Sequence, residues 1–276
     1  MTEITTSMLA FLPCLAYPTF VFLSCYAILT VTKASAHDPL ADSMVGLWST
    51  PILKRTLLSN DMDGAQLNSE IATTILKGLS DFQTEVNWTG SFSSTGDKQG
   101  LNDLFFDYQK KYWETNGKLW PPLQQSKPVA GLLDAIQKLA TNYLDAVDPA
   151  RTKKDLAIYM WAGVHFGCIA HLSHIHPGSA VSGTYYVNVP SGSGALVIGD
   201  PRGILPPFGN RYIHHPVAGE VIMFPSWIRH EVAPSCGVSD SNPRIALSFN
   251  IVGDWSTTTD ATSLFFDLAP NRKREL

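Results

Sequence analysis

Apolar residues recur along this chain with two different periods, and the change of period divides it. In residues 66–82 they fall at Leu67, Ile71, Ile75, Leu76 and Leu79, and in 129–144 at Leu132, Leu133, Ile136, Leu139, Tyr143 and Leu144. Spacings of three and four place each set on one stripe of a helix, so both segments predict amphipathic helices that support a core. From Asp155 onward the pattern changes to short runs rich in β-branched and aromatic residues, at 156–166, 181–189, 195–198, 221–224, 230–233 and 245–252. Short strands separated by turn residues at such spacing predict a sandwich, barrel or jelly roll. The polar stretch 91–100 reads as a Gly/Ser loop, and Trp120-Pro121-Pro122-Leu123 as a turn or extended linker. There is no internal repeat.

The first 36 residues follow neither pattern. From Met8 to Val31 no residue is charged, and Ala34-Ser35-Ala36 follows with the small side chains of a signal-peptidase site. A cleaved secretory signal is the leading reading. An uncleaved anchor is the second, because the run exceeds an ordinary signal core, contains Pro13 and Pro18 and lacks a preceding basic residue. An organelle-targeting sequence is the third. The sequon Asn87-Trp88-Thr89 and the tail Lys273-Arg274-Glu275-Leu276, similar to an ER-retrieval signal with Arg in place of an acidic residue, agree with the secretory pathway. The expected location is therefore the ER lumen, or the ER membrane if the segment stays attached. This divides the chain into 1–36, a signal or anchor, and 37–276, one domain with a helical half 37–150, a β-rich core 151–256 and a tail 257–276.

Composition narrows the class. A chain of 276 residues with 45% hydrophobic and 16% charged residues can bury a large core. Its 24 acidic residues exceed its 20 basic ones and no basic stripe with interleaved aromatics occurs, which argues against nucleic acid as a partner. Of the four cysteines, Cys14 and Cys25 lie in the targeting segment. Cys168 and Cys236 remain, either as one disulfide or as a buried small apolar residue and a loop thiol; no spacing resembles a zinc–cysteine site.

The chemistry-bearing residues cluster in the β-rich half. Two histidines at i and i+2 of a strand, His174 and His176, point the same way, and His230 from a distant strand adds a third imidazole. Imidazoles suit iron, copper, nickel and zinc. Arg244 downstream offers a planar fork for a carboxylate, and on a strand Ala246, Ser248 and Asn250 would share its face. His165, His171, His214 and His215 lie near the motif, where a core or surface role is the expectation for each. For Trp161 and Trp227, pocket lining and core packing are equally good accounts.

In order along the chain stand His174-Ile-His176-Pro177-Gly-Ser179-Ala-Val-Ser182-Gly183-Thr-Tyr185-Tyr186, Asp200-Pro201-Arg202, Phe224-Pro-Ser-Trp227-Ile-Arg-His230-Glu-Val232 and Arg244-Ile-Ala-Leu-Ser248-Phe-Asn250. This set resembles the iron(II)/2-oxoglutarate dioxygenases, and within them an oxygenase family with H-x-H-P, F-P-S-W-x-x-H and R-x-x-x-S-F-N motifs. The segment Gly46-Leu47-Trp48-Ser49-Thr50-Pro51 resembles the opening of that family more loosely.

The resemblance implies a mainly β fold with supporting helices (α+β) around a double-stranded β-helix, a jelly-roll or cupin-like core. It implies His174, His176 and His230 as catalytic metal ligands, and Arg244, Tyr186, Ser248 and Asn250 as the site of the keto acid. Related dioxygenases carry Asp or Glu at position 176, so His176 leaves the site one negative charge short, and Asp200 stands as the alternative carboxylate. The implied cofactor is Fe(II) and the co-substrate 2-oxoglutarate, with ascorbate as a supporting reductant. The expected reaction consumes O2 and oxidises a C–H bond of a small-molecule or peptide substrate by hydroxylation, desaturation or ring closure, releasing succinate and CO2. Two other classes are weighed against it: a three-histidine cupin-type dioxygenase without a keto acid, which Arg244 and Tyr186 argue against, and a jelly-roll binding module without redox metal. Substrate selection is expected from the helical half and the loops at 88–103 and 201–213, which carry no code.

Overall fold

The computed structural model describes residues 49–57, 62–88, 95–148 and 156–252. Residues 1–36, expected to be a signal or anchor, and the expected tail 257–276 lie outside these residues. The chain divides into two units, Met1–Ser49 and Thr50–Leu276, and everything below concerns the second.

Its elements are β1 (Leu53–Thr56), helices α1 (Met62–Glu85), α2 (Thr95–Asn116), α3 (Pro121–Gln124) and α4 (Lys127–Val147), then β2 (Ala157–His165), β3 (His171–His174), β4 (Val181–Asn188), β5 (Leu196–Gly199), β6 (Arg211–His214), β7 (Glu220–Pro225), β8 (His230–Val232) and β9 (Arg244–Val252). The strands form two antiparallel sheets, a major one in the order β1-β7-β4-β9-β2 and a minor one in the order β3-β8-β5-β6. Face to face they make the jelly-roll sandwich that the strand spacing predicts.

The major sheet is covered on both sides. Its outer face carries Met160, Ala162, Val164, Tyr185, Met223, Leu247 and Phe249, packed against Ile71, Ile75 and Leu79 of α1, Leu101 and Phe105 of α2 and the apolar stripe of α4. Its inner face carries Tyr186, Ile222, Phe224 and Ala246, packed against Leu196 and Ile198 of the minor sheet. A strand covered on both faces loses its alternation of buried and exposed positions, and β4, β7 and β9 are buried almost along their whole length. In the minor sheet β5 keeps the alternation of a strand with one wet face, with Leu196 and Ile198 buried and Val197 and Gly199 less so.

Polar groups finish the helix–sheet seam. Gln109 of α2 donates from Nε2 to the Ala162 carbonyl at 3.0 Å and accepts from the Ala162 N–H at 2.9 Å. Ala162 lies on the sheet's edge strand, so this one side chain satisfies both backbone groups that the edge exposes. The Tyr185 hydroxyl donates to Asn68 Oδ1 of α1 at 2.7 Å. Gly183 has a packing reason: an added Cβ would collide with the Phe249 ring and the Ile222 carbonyl.

Two readings of the helical half need correction. Residues 95–100, expected as loop, are the first turns of α2. The residues that α2 buries are Leu101, Asn102, Phe105 and Gln109, and two polar side chains among the four leave no apolar period to detect. Trp120-Pro121-Pro122-Leu123 is not extended, because Pro121 opens the short helix α3, where a first-turn proline needs no N–H partner.

Candidate metal centre

One cavity runs between the two sheets, and its wall carries most of the residues singled out in the sequence. Along the inner face of β9 stand Arg244, Ala246 and Ser248; β2 adds Trp161, Gly163 and His165, β4 adds Ser182, Thr184 and Tyr186, and the minor sheet closes over them with His171, His174, His230 and Val232. Register sets their order. His165 pairs with Arg244 at one end of the sandwich, Trp161 and Thr184 flank Ser248 midway, and Ser182 pairs with Asn250 at the other end.

At that second end the three histidines meet. His174 and His230 are directly opposed across β3 and β8. His176 is not on the strand: β3 ends at His174, so the expected i, i+2 alternation does not bring these two side chains together. A turn does so instead. The His176 N–H donates to the Ser226 carbonyl at 2.9 Å, fixing the backbone beyond β3 against the Phe224-Pro-Ser-Trp227 turn. One ring nitrogen from each of His174, His176 and His230 lies within 4.8 Å of the others, a spacing suited to a shared metal ion.

Hydrogen bonds define which nitrogens face inward. His174 Nδ1 lies 2.6 Å from the Leu172 carbonyl and His230 Nδ1 lies 3.0 Å from the Ile228 carbonyl. A carbonyl only accepts, so both Nδ1 atoms carry hydrogen, which leaves Nε2 as the atom of each ring that can offer a lone pair to a metal. Burial holds the pKa of His176 down to about 3 and that of His230 to about 4, so both rings are neutral at physiological pH. Converging neutral donors without hydrogens fit a borderline cation, and each carbonyl is the kind of partner that orients a metal-binding imidazole.

Asp200 does not join this group. Its carboxylate accepts from Arg202 Nε at 2.9 Å and from Arg202 Nη2 at 2.8 Å, and the guanidinium keeps its pKa far below the ordinary carboxylate range.

The opposite end holds an incomplete ion pair. Arg244 is 3% exposed, no carboxylate among the described residues pairs with it, and its Nε has no hydrogen-bond partner. The Tyr186 hydroxyl is equally buried and unpartnered, and the Arg244 guanidinium carbon sits 5.5 Å from the Tyr186 ring centre. A buried cation is costly unless an anion completes it. Ser248 lines the cavity, its hydroxyl 3.3 Å from that of Thr184. Asn250 shares the strand face but sits at the histidine end, where its amide meets Ser182 and His176 rather than the guanidinium.

Around Arg244 lie histidines for which the sequence gave only a core or surface role, together with Ser235, which it did not single out. Ser235 Oγ accepts from the Gly194 N–H at 3.0 Å and lies 3.1 Å from His165 Nδ1, while His165 Nε2 lies 2.9 Å from His171 Nε2. Burial, then the Arg244 charge, lowers the pKa of both rings, His171 to about 4. The Cys168–Cys236 disulfide ties together the two loops that carry this network. His214 lies behind Tyr186 with its Nε2 2.9 Å from Glu220 Oε2. Only the pairing of His165 with Arg244 across β2 and β9 would have pointed here.

Outside the cavity a wider groove of about 470 Å³ reaches His230 and is lined by Ile175, Asp200, Ile204, Arg211, Trp227 and Glu231 among others. Trp227 is 56% exposed there, whereas Trp161 faces the inner cavity with its ring 6.0 Å from that of His176.

Residues 159–250 match the family described as "Putative 2OG-Fe(II) oxygenase". No curated protein matches the chain. Among solved structures it is similar to a 2OG-Fe(II) oxygenase family oxidoreductase from Burkholderia pseudomallei, at 18% identity and a TM-score of 0.31, over 40% of this chain and half the length of that one. It is also similar to a prolyl-4-hydroxylase from Pseudomonas putida (15% identity, TM-score 0.42, 75% of this chain and 89% of that one). A third is the alpha ketoglutarate dependent carbocyclase SnoK of nogalamycin biosynthesis (10% identity, TM-score 0.45, 74% and 81%).

Proposed function

We propose that this chain, whose residues 159–250 match the family described as "Putative 2OG-Fe(II) oxygenase", oxidises a C–H bond of a small-molecule or peptide substrate, consuming O2 and 2-oxoglutarate and releasing succinate and CO2. One observation carries this reading: a single cavity joins three imidazoles suited to a cation to a buried guanidinium that lacks an anion. A dicarboxylate keto acid answers both needs at once.

Iron(II) held by His174, His176 and His230 would supply the chemistry that couples keto-acid decarboxylation by O2 to C–H oxidation. The remaining tasks belong to the protein. Arg244 and the Tyr186 hydroxyl hold the far carboxylate, Arg244 through a fork of N–H donors and Tyr186 through its O–H. Burial raises the Tyr186 pKa, so the hydroxyl stays a donor throughout the physiological range. Trp161, Leu196 and Phe224 line the cavity with apolar surface that keeps water from the reacting groups. The groove at His230 admits the substrate, and Trp227 offers it an exposed aromatic face. Hydroxylation, desaturation and ring closure are all open to this site, and ascorbate would serve as a reductant that preserves the ferrous state. The Cys168–Cys236 disulfide supports the secretory location.

Arg244 argues against the cupin-type alternative, because a site without a keto acid has no use for a buried unpaired cation. The inward-facing imidazole lone pairs argue against a binding module. The decisive experiment loads the purified protein with iron under anaerobic conditions and screens peptides and amino-acid-like molecules for substrate-dependent succinate release. Stoichiometric iron and 2-oxoglutarate consumption are expected. Folded protein that takes up neither iron nor the keto acid would remove the proposal.

A further inference from the structure

Register arranges the inner face of the major sheet in tiers. His165 stands beside Arg244, Gly163 beside Ala246 and Tyr186, Trp161 beside Ser248 and Thr184, and Tyr159 beside Asn250 and Ser182. Side chains on one face of a strand recur every second residue, so successive tiers lie about 7 Å apart. In three of these tiers β2 contributes an aromatic or imidazole ring, and in the fourth it contributes Gly163.

Glycine inside a strand costs backbone entropy and packs nothing, so it marks a special backbone conformation or the close approach of another group. Gly163 does not have the positive φ that favours glycine. A Cβ added to it would meet, among the described residues, only the Ala246 carbonyl oxygen at 4.0 Å, an ordinary van der Waals contact. On β4 the opposite holds, because packing excludes any side chain from Gly183. From Tyr159 to His165 only Gly163 is not buried, and the space before it belongs to the cavity that holds the three histidines and Arg244. Ala246, beside it, is the smallest side chain that β9 places on that face. The two make a notch with firm sides. Toward Arg244 it is bounded by His165 and His171, whose Nε2 atoms lie 2.9 Å apart and whose stacked rings bridge β2 and β3, the outermost strands of the two sheets. Toward the histidines it is bounded by Trp161.

We propose that Gly163 is a specificity-determining residue of the co-substrate site: with Ala246 it leaves the room through which the carbon chain of a dicarboxylic keto acid passes from the metal centre to Arg244. A ligand that spans the two ends must cross this tier, since Arg244 lies on one side of it and the histidines on the other. Methylene groups suit the crossing, because the notch presents backbone and a methyl group, while the Tyr186 hydroxyl belongs with the carboxylate. The glycine is kept for the ligand and not for the fold.

This inference rests on reading the cavity as a keto-acid site, and the test separates the two. The full chain is loaded with zinc(II), a redox-inactive probe, and titrated by calorimetry with 2-oxoglutarate and with oxalate, which chelates a metal but has no chain to cross the notch. Gly163→Val should keep its affinity for zinc and for oxalate and lose affinity for 2-oxoglutarate by at least about 10-fold, the scale of overpacking a filled site by a few carbons. Its melting temperature without ligand should hold or rise, because valine suits a strand better than glycine. Gly163→Ala should weaken 2-oxoglutarate binding by a smaller factor, and it decides the matter if the valine variant does not fold. Undiminished 2-oxoglutarate affinity in the folded variants overturns the proposal, and so does an equal loss for oxalate, which would put the effect at the metal. A lower melting temperature in Gly163→Ala overturns it too, because the fold would then need the glycine. Zinc-loaded wild type that binds oxalate but not 2-oxoglutarate would instead overturn the keto-acid reading itself, and this inference with it.

Discussion

The two ends of the inter-sheet cavity are both built from buried nitrogen groups, yet they are incomplete in opposite senses. At one end His174 and His230 present lone pairs whose hydrogens are held away by backbone carbonyls, a set that accepts a cation. At the other, Arg244 keeps its charge in the interior with no carboxylate among the described residues to pair with it, a site that accepts an anion. Hydrophobic burial alone would favour neither arrangement, since unpaired polar groups in a core cost free energy. The contrast is what supports the proposed keto acid: a molecule with a metal-chelating head and a carboxylate tail would complete both ends.

The sharpest way to break this comparison is to remove one end. His174→Ala or His230→Ala should reduce metal affinity by more than about 100-fold, beyond what is seen for groups that merely orient a ligand, and abolish succinate production. The melting temperature of the metal-free variants should stay close to wild type, because each change removes a ligand rather than a core contact. Metal binding by either variant at wild-type strength would refute the assignment of that end.

Arg244→Met should have the next largest effect and should split two properties. Loss of a charge-assisted contact to a carboxylate, on the order of 2–5 kcal/mol when buried, would raise the 2-oxoglutarate requirement by tens of fold or more. Stability of the ligand-free protein should hold or rise, since the variant no longer buries an unpaired cation. Keto-acid titration and thermal denaturation read the two separately, and an unchanged keto-acid dependence would place that carboxylate elsewhere.

Acid sensitivity sharpens the comparison further. His171, His176 and His230 have pKa values lowered to about 4, about 3 and about 4, each chiefly by burial, whereas unfolded imidazoles take up protons near pH 6.5. Between those values the unfolded chain binds more protons than the folded one. Stability of the metal-free protein should therefore be flat above about pH 7 and fall as the pH drops from about 6.5 toward 4. Denaturant midpoints measured across this window test it. His171→Gln should flatten the slope without touching metal affinity, assigning one share to the arginine end; constant stability down to pH 4.5 would contradict the neutral, buried imidazoles.

The smallest effect is expected at Asp200. Asp200→Asn should leave metal affinity unchanged because the carboxylate is already engaged by Arg202, whereas His176→Ala should lose most of the metal. A metal-poor Asp200→Asn would mean that the loop carrying it closes over the histidines when metal is present.

Much of this was legible in residue order. The apolar stripes of α1 and α4 announced helices, because a helix that buries one face must repeat every three to four residues. The strands of the core were visible as β-branched and aromatic runs, and the H-x-H-P, F-P-S-W-x-x-H and R-x-x-x-S-F-N segments marked the groups that the cavity brings together. Helix α2 was not visible, since its buried stripe includes Gln109, whose role is to satisfy the edge of β2. The short strands β1 and β6 were also missed; their residues are mostly exposed and take strand form from their partners.

What the sequence by itself determined is the kind of chemistry, since imidazoles, a guanidinium and the turns around them are local facts of composition and spacing. Which atoms face one another was decided only by the tertiary structure. His176 reaches the site through a turn held by Ser226 rather than by strand alternation, Asp200 is withdrawn by Arg202, and Asn250 serves the histidine end instead of the arginine end. Strand register and sheet packing bring together residues far apart in the chain, and a hydrogen bond's direction depends on the group it meets, which no single position in a sequence contains.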